Sequence, residues 1–471
     1  MAAVAHPCAP DARHGVSRGR RTVVLAALLG ATVIGTLSNN ILNVPLRDIT
    51  TEFHASLSAG VLVVSSFVLV LAAGMALSGW VGDRFGRRRT LQIALGLMLV
   101  AQIAAAAAPS LAVLVALRAV QGLACSAIPP CVMGMLADIY PARYRSRMMG
   151  AWAAANGTGQ AVGPPIGGLL AQVWGWRSIF WMLAPLTVIV MLAGRGLPRD
   201  AGRSRPLHWP GALSLTAGAT LMMTAVTVVP QREVPRWVVV AGGVAGVACI
   251  VVFVLVSRRS ERPMIKPRLL VEVRFMRSAV ATFAQMVALL TVLIAVPLYV
   301  TGTLGRSTGT TGFLVFALPA AMALLAPAVG SLADRIGPRV VMRSGLAVLS
   351  IACVALGWFT DAGARSLAGL CALLVLVGIG VALVQTPSAT GATRSPAGRT
   401  GTALGVFNMM RFGGGAFGAA WVAVVYPHGT LMVLFGGASL LLLVALAVSF
   451  AGSDPARDDV PATVTTVQRA H

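Results

Sequence analysis

GWVGDRFGRRR, residues 79–89, and GSLADRIGPRV, residues 330–340, are two versions of one phrase. Gly79, Asp83, Arg84 and Gly86 in the first line up with Gly330, Asp334, Arg335 and Gly337 in the second at one constant spacing. Further on, Asn156 and Gly163 line up with Asn408 and Gly415 at a spacing one residue longer. Two distant landmarks with nearly the same spacing indicate a tandem duplication, so the fold consists of two copies of one unit.

The composition says what the unit is made of. Of 471 residues, 57% are hydrophobic and only 11% charged, with a mean hydropathy of +0.83. Soluble domains carry about 25% charged residues, so this chain needs a solvent other than water. A membrane-crossing helix takes about 20 apolar residues, and fourteen such segments can be marked, from 22–45 to 428–450. The first copy of the phrase follows the second span (57–79), and its repeat follows the tenth (311–333). A plain six-plus-six repeat would place that copy after the eighth span. Two helices, at 209–230 and 236–257, are therefore expected as an insert flanked by the Arg- and Pro-rich stretches 195–208 and 258–276. The expected fold is an all-α integral membrane protein. Its parts are an arm (1–21), a six-helix bundle (22–194), a linker with two extra helices (195–276), a second six-helix bundle (277–450) and a tail (451–471).

The net charge of +23 raises the question of a nucleic-acid partner. Placing the N-terminus in the cytoplasm leaves only Arg47, Arg177, Arg232, Arg236, Arg306 and Arg365 in outside loops, with Arg118 and Arg411 within spans. The remaining Lys and Arg all fall inside, as the positive-inside rule requires. Topology thus accounts for the charge, and contact with anionic lipid headgroups is expected in place of nucleic acid. Both termini are expected in the cytoplasm. The basic arm (Arg13, Arg18, Arg20, Arg21) runs into a full-length span without a small-residue cleavage site, unlike a secretory signal. The six cysteines lack metal-ligand spacing, so neither a metal site nor a disulfide is expected.

Residues 79–89 resemble the loop 2–3 signature of the major facilitator superfamily, and the chain resembles that family's fourteen-helix drug:proton antiporters over nearly all its length. Gly79 and Gly86 are expected to allow a tight turn. Asp83 can accept hydrogen bonds from backbone N–H groups or arginines between the two halves, with Arg87, Arg88 and Arg89 towards lipid headgroups. The resemblance implies a latch for the outward-open state, made of Gly79, Asp83, Arg84, Gly86, Arg87 and their copies Asp334 and Arg335, with Asp138 and Arg145. In the fifth span, GQAVGPPIGG (159–168) resembles the family's exporter motif. Gly159, Gly163 and Gly167 form a groove for a neighbouring helix, with Gly168 beside it and Pro164 and Pro165 as a kink.

LRAVQG (117–122) in the fourth span resembles the family's R-x-x-Q-G motif, which places Arg118 and Gln121 on one face and implies a part in proton coupling. NMMRFGGG (408–415) resembles the fourteen-helix group's N-x-x-R and brings in Arg411. The alternative for both arginines is structural, as donors to carbonyls between helices. Neither can carry the proton itself, because arginine hardly ever deprotonates.

The first span departs from the family. Related antiporters have L-D-x-T-I-V-N-V-A-L-P there, and this chain reads LSNNILNVPLR over 37–47. Ser38 stands in place of the aspartate, and Asn39 and Asn43 share a helix face with Asn40 beside them. Every acid falls in a tail, in a loop or at a helix end, with Asp48, Glu52 and Asp361 near the outer mouth. The expected cavity comprises Asn39, Asn40, Asn43, Gln121, Asn156, Gln160, Gln285, Tyr299, Gln385 and Asn408. Without a carboxylate it suits neutral or anionic amphiphiles better than dications.

The reading is a bacterial plasma-membrane exporter of antibiotic-like amphiphiles, working by alternating access on the proton motive force and as a monomer. The rival on the same fold is an importer or facilitator of a small metabolite. A catalytic Ser/His/Asp set, a metal cluster and a phosphate loop are absent from the sequence, so an enzyme is not expected.

Overall fold

The computed structural model describes residues 18–200, 202, 206–229, 234–363 and 365–452. The arm and tail expected at 1–21 and 451–471 lie almost wholly outside them, as do Arg232 and Glu233. Every element among the described residues is helical. The long helices of the first part are α1 (Arg18–Asn40), α2 (Leu57–Phe85), α3 (Arg87–Ala106), α4 (Leu111–Ile139), α5 (Arg145–Trp174) and α6 (Arg177–Ala193). Two more, α7 (Trp209–Val228) and α8 (Arg236–Arg259), precede α9 (Val273–Gly302), α10 (Thr308–Ile336) and α11 (Pro338–Asp361). The last are α12 (Leu367–Arg394), α13 (Gly401–Val425) and α14 (Leu431–Val448). α4 is broken at Ala127, ahead of Pro129 and Pro130, whose rings fit best in the first turn of a new helix.

Among the described residues, 12 of these helices are long and apolar enough to cross a membrane by themselves. α5 and α13 fall outside that set. Glycines together with Asn156, Asn408 and Arg411 dilute their apolar runs, and both pack among other helices.

The packing repeats along the chain. α1 packs on α5, α2 on α4, α3 on α4 and α3 on α6. Eight helices later α9 packs on α13, α10 on α12, α11 on α12 and α11 on α14. The halves meet along two related seams, α5 against α10 and α13 against α2. α7 and α8 have no counterpart in this scheme.

Side chains fix most helix starts. Ser56, Ser110, Glu272, Ser307, Ser366, Thr400 and Thr430 each accept a hydrogen bond from the backbone N–H three residues on. Among the ends that differ from the sequence reading, two bear on the motifs, and α12 also runs on past 387 to Arg394. α1 stops at Asn40, not 45, because Pro45 disfavours helical backbone at Val44; Asn43 therefore lies in a bend. α2 runs past 79 to Phe85, so most of the signature phrase is helix, and only Gly86, at φ 91°, turns the chain. Its copy Gly337 does the same at φ 102°.

Candidate functional site

At the end of the molecule that holds Gly86 and Gly337, here the latch end, two aspartates cap helices of the opposite half. Both oxygens of Asp83 accept from Gly401 N, at 2.9 and 2.8 Å, and one also accepts from Thr402 N at 3.4 Å. Asp334 accepts from Ser146 N at 3.1 Å and Arg147 N at 3.0 Å, at the start of α5. The residue before α5, Tyr144, gives that helix no side-chain cap of its own. Helix N-termini leave N–H donors unpaired and carry a partial positive charge, so each carboxylate satisfies both needs. The duplicated phrase is thus a pair of reciprocal caps across the two seams.

Gly79 does not turn the chain. It lies inside α2, and a Cβ there would sit 2.1 Å from Gly401 O. The second seam is as tight, since a Cβ on Gly150 would sit 2.5 Å from Ala326 O.

Arg87, expected to face headgroups, is buried at 7% exposure. Its guanidinium lies 2.5 Å from Asp138 and 3.6 Å from Asp83, and it occupies the space beside Gly134. Arg88 is half-buried, with a hydrogen bond to Arg195 O, and Arg89 is exposed. Arg145 reaches across to Thr393 O at 3.4 Å and back to Ala137 O at 2.9 Å. Arg84 is half-buried and Arg335 exposed. Sequence reasoning missed Asp200, which caps α3 through Arg87 N at 2.6 Å and Arg88 N at 3.3 Å. Its signal was being the one acid in the Arg-rich stretch 195–208.

The glycine groove of α5 receives α1. A Cβ on Gly159 would meet Thr36 at 2.8 Å, on Gly163 Asn40 at 3.3 Å, on Gly167 Ile41 O at 2.0 Å and on Gly168 Val44 at 3.1 Å. The helix continues through Pro164 and Pro165. Gly167→Val is expected to destabilise the protein by about 3 kcal/mol through backbone overpacking. Gly163→Ala should stay within about 1 kcal/mol. Thermal unfolding in detergent measures both, and equal melting temperatures for the two variants would contradict the groove.

Above the latch lies a cavity of about 640 Å³. Asn39, Asn40 and Asn43 line it beside Thr32 and Thr36, with Asn156 and Gln160 from α5 and Arg411 from α13. Asn156 Oδ1 accepts from Thr36 at 3.2 Å and from Arg411 at 3.4 Å, joining α1, α5 and α13. Arg411 lies between the rings of Trp152 and Phe412, at 5.3 and 5.4 Å. Leu62, Leu69, Met286, Leu290 and Leu293 supply apolar walls. No Asp or Glu is among the lining residues. Met223, Thr224, Thr227 and Val228 of α7 also line it, which the sequence reading did not foresee.

Arg118 is fully buried behind this cavity. It donates to Val63 O, Ser38 O and Gln121 Oε1 at 3.2, 3.0 and 2.8 Å and stacks 4.2 Å over Phe67. Gln121 is committed to Arg118 and Ala101 O and does not line the cavity. Gln285, Tyr299, Gln385 and Asn408 also stand outside its lining, buried among helices. Helices packed together at the latch end leave no space beside Gln285, Gln385 and Asn408. At the far end Glu52 accepts from Trp176 Nε1 at 2.5 Å and pairs with Arg177, whose hydrogen bond holds the carboxyl below its usual pKa. Asp361 accepts from Met432 N at 3.3 Å, at the start of α14.

Two pseudo-symmetric halves, reciprocal caps and a central cavity match a known architecture. The sequence matches the Major Facilitator Superfamily over residues 26–419, and again over 278–466. The chain belongs to that superfamily. It is a multi-pass membrane transporter and not an enzyme, and superfamily transporters bind small-molecule substrates. It is 31% identical over 430 residues to the multidrug resistance protein Stp of Mycobacterium tuberculosis, covering 88% of this chain and 79% of that one. It is 28% identical over 430 residues to the puromycin resistance protein pur8 of Streptomyces alboniger, covering 88% and 84%. The fold is similar to the crystal structure of the human organic anion transporter MFSD10, with a TM-score of 0.67 at 19% identity, covering 92% of this chain and 100% of that one.

Proposed function

We propose that this superfamily transporter exports amphiphilic, antibiotic-like compounds by alternating access, taking neutral or anionic molecules in preference to dications. The observation that carries the substrate charge is the cavity's lining of five amides and one guanidinium without a carboxylate. The drug-resistance names of the relatives and the glycine motif of α5 support export. The concentration of Lys and Arg at the latch end supports placing that end in the cytoplasm of a bacterial plasma membrane, with the cavity facing out.

The second state is supported by buried polar atoms without hydrogen-bond partners in the latch half of α9, α12 and α13. They are Thr282 Oγ1, Gln285 Oε1, both side-chain amide atoms of Gln385, Thr386 Oγ1 and Asn408 Oδ1. Each unpaired buried group costs about 1–3 kcal/mol, and opening the latch would bring water to them. These residues belong to the inward-facing cavity.

The proton motive force supplies the energy, and for an anion its electrical part suffices. Moving one charge through 100 mV is worth about 2.3 kcal/mol. In proteoliposomes with a potassium-diffusion potential of about 100 mV, carboxyfluorescein is expected to be moved about fiftyfold against its gradient per unit charge. Faster transport of the dication dequalinium than of carboxyfluorescein would overturn this reading.

A further inference from the structure

We propose that the inserted helix α7 forms one wall of the transport cavity and selects substrates by the bulk of their apolar part. This rests on the export reading above. The two seams between the halves behave differently. α5 and α10 remain in contact above the latch, where a Cβ on Gly157 would lie 2.9 Å from Ala323 N and 2.7 Å from Met322 Cε. α2 and α13 touch backbone to backbone near the latch, where a Cβ on Gly405 would lie 2.2 Å from Met75 O. Further up they part. Val61, Leu62, Ser65 and Leu69 of α2 line the cavity, as do Gly415, Ala416 and Ala419 of α13.

α7 packs against both α2 and α13, at that diverging seam. Met223, Thr224, Thr227 and Val228 fall on one helical face by their three- and four-residue spacings, and that face lines the cavity. α8 closes behind α7 through small residues: a Cβ on Gly218 would lie 2.9 Å from Ile250, and one on Gly246 2.8 Å from Met222. Val240, Val244, Val247 and Val251 of α8 are exposed, as a lipid-facing surface requires.

The wall is uncharged, and Thr227 Oγ1 already donates to Met223 O at 2.8 Å. It therefore offers methyl groups, one adaptable thioether and the Thr224 hydroxyl. The amides and Arg411 lie on α1 and the bend after it, on α5 and on α13. An amphiphile held here turns its polar end to Asn40, Asn156 and Arg411 and its hydrophobic body to α7.

The test uses the full chain with its cysteines replaced by alanine, selected to retain export of the neutral dye Nile red. Thr227→Cys is expected to react with a membrane-impermeant methanethiosulfonate added opposite the latch. Nile red at roughly ten times its Kd should slow that reaction about tenfold, and likewise for Leu290→Cys on α9. Protection of Leu290→Cys without Thr227→Cys would overturn the wall and leave the export reading intact. Protection of neither would overturn both. Thr227→Trp in the chain with its own cysteines gives a second measure: KM for Nile red rises about tenfold. An unchanged KM would also overturn the wall.

Discussion

Gly79→Val will cost the protein its closed latch and nearly all transport. A Cβ at that position lies 2.1 Å from Gly401 O and 2.8 Å from Thr402 N, both backbone atoms at the start of α13. No rotamer change relieves a clash between a Cβ and a carbonyl, so α2 and α13 must separate. Separation breaks the hydrogen bonds from Gly401 N and Thr402 N to Asp83 in the same step. An overpacking cost of about 3 kcal/mol, borne only by the closed state, shifts the open-to-closed ratio about a hundredfold. The fold itself survives, because the contact lies between the halves. Thermal stability should stay near that of the parent while carboxyfluorescein export falls to a few per cent, and Thr402→Cys becomes reactive from the latch side. Gly96→Val on α3 is the control, since a Cβ there meets nothing within 4 Å. Parent-like export by Gly79→Val would show that the latch need not close.

The same glycine marks what the sequence could and could not reveal. Its recurrence as Gly330 exposed the duplication, because a repeat is a linear property of the chain. Its function was misassigned as a turn, because the carbonyl it must clear belongs to Gly401, far along the chain. Asp83 shows the same limit: its need for backbone donors was legible, but α13 as the helix it caps was not. Arg87 looked like one of three equivalent surface arginines until packing placed Asp138 and Gly134 around it. The asparagines of α1 were legible as a cavity stripe, although Pro45 ends the helix before Asn43. For α7, a stripe of Thr220, Thr224 and Thr227 was available as a signal. The repeat could not place it, because a helix without a counterpart in the other half has no packing partner to infer.

Ser38→Asp will open the transporter to dications. Ser38 is fully buried on the side of α1 away from the cavity, and its Oγ has no hydrogen-bond partner. Its carbonyl already accepts from Arg118 Nη1 at 3.0 Å, while Arg118 Nη2 has no partner. A carboxylate on this residue is therefore within reach of the free guanidinium edge and would form a buried ion pair. The parent protein keeps two buried guanidinium groups, Arg118 and Arg411, beside a cavity without acids. At ~8 Å and an effective dielectric of ~20, two unit charges interact by about 2 kcal/mol, so each guanidinium repels a dication by about 4 kcal/mol. Cancelling Arg118 removes that term, and water in the cavity reduces the net gain to roughly 1–2 kcal/mol, or about tenfold in dequalinium export. Ser38→Asn is the matched control: it fills the same space and offers an amide, but adds no charge. Export of Nile red should hardly change in either variant, since a neutral molecule feels only the reshaped field. If Ser38→Asn raised dequalinium export as much as Ser38→Asp, volume and not charge would govern position 38, and the link between the missing carboxylate and substrate charge would fail.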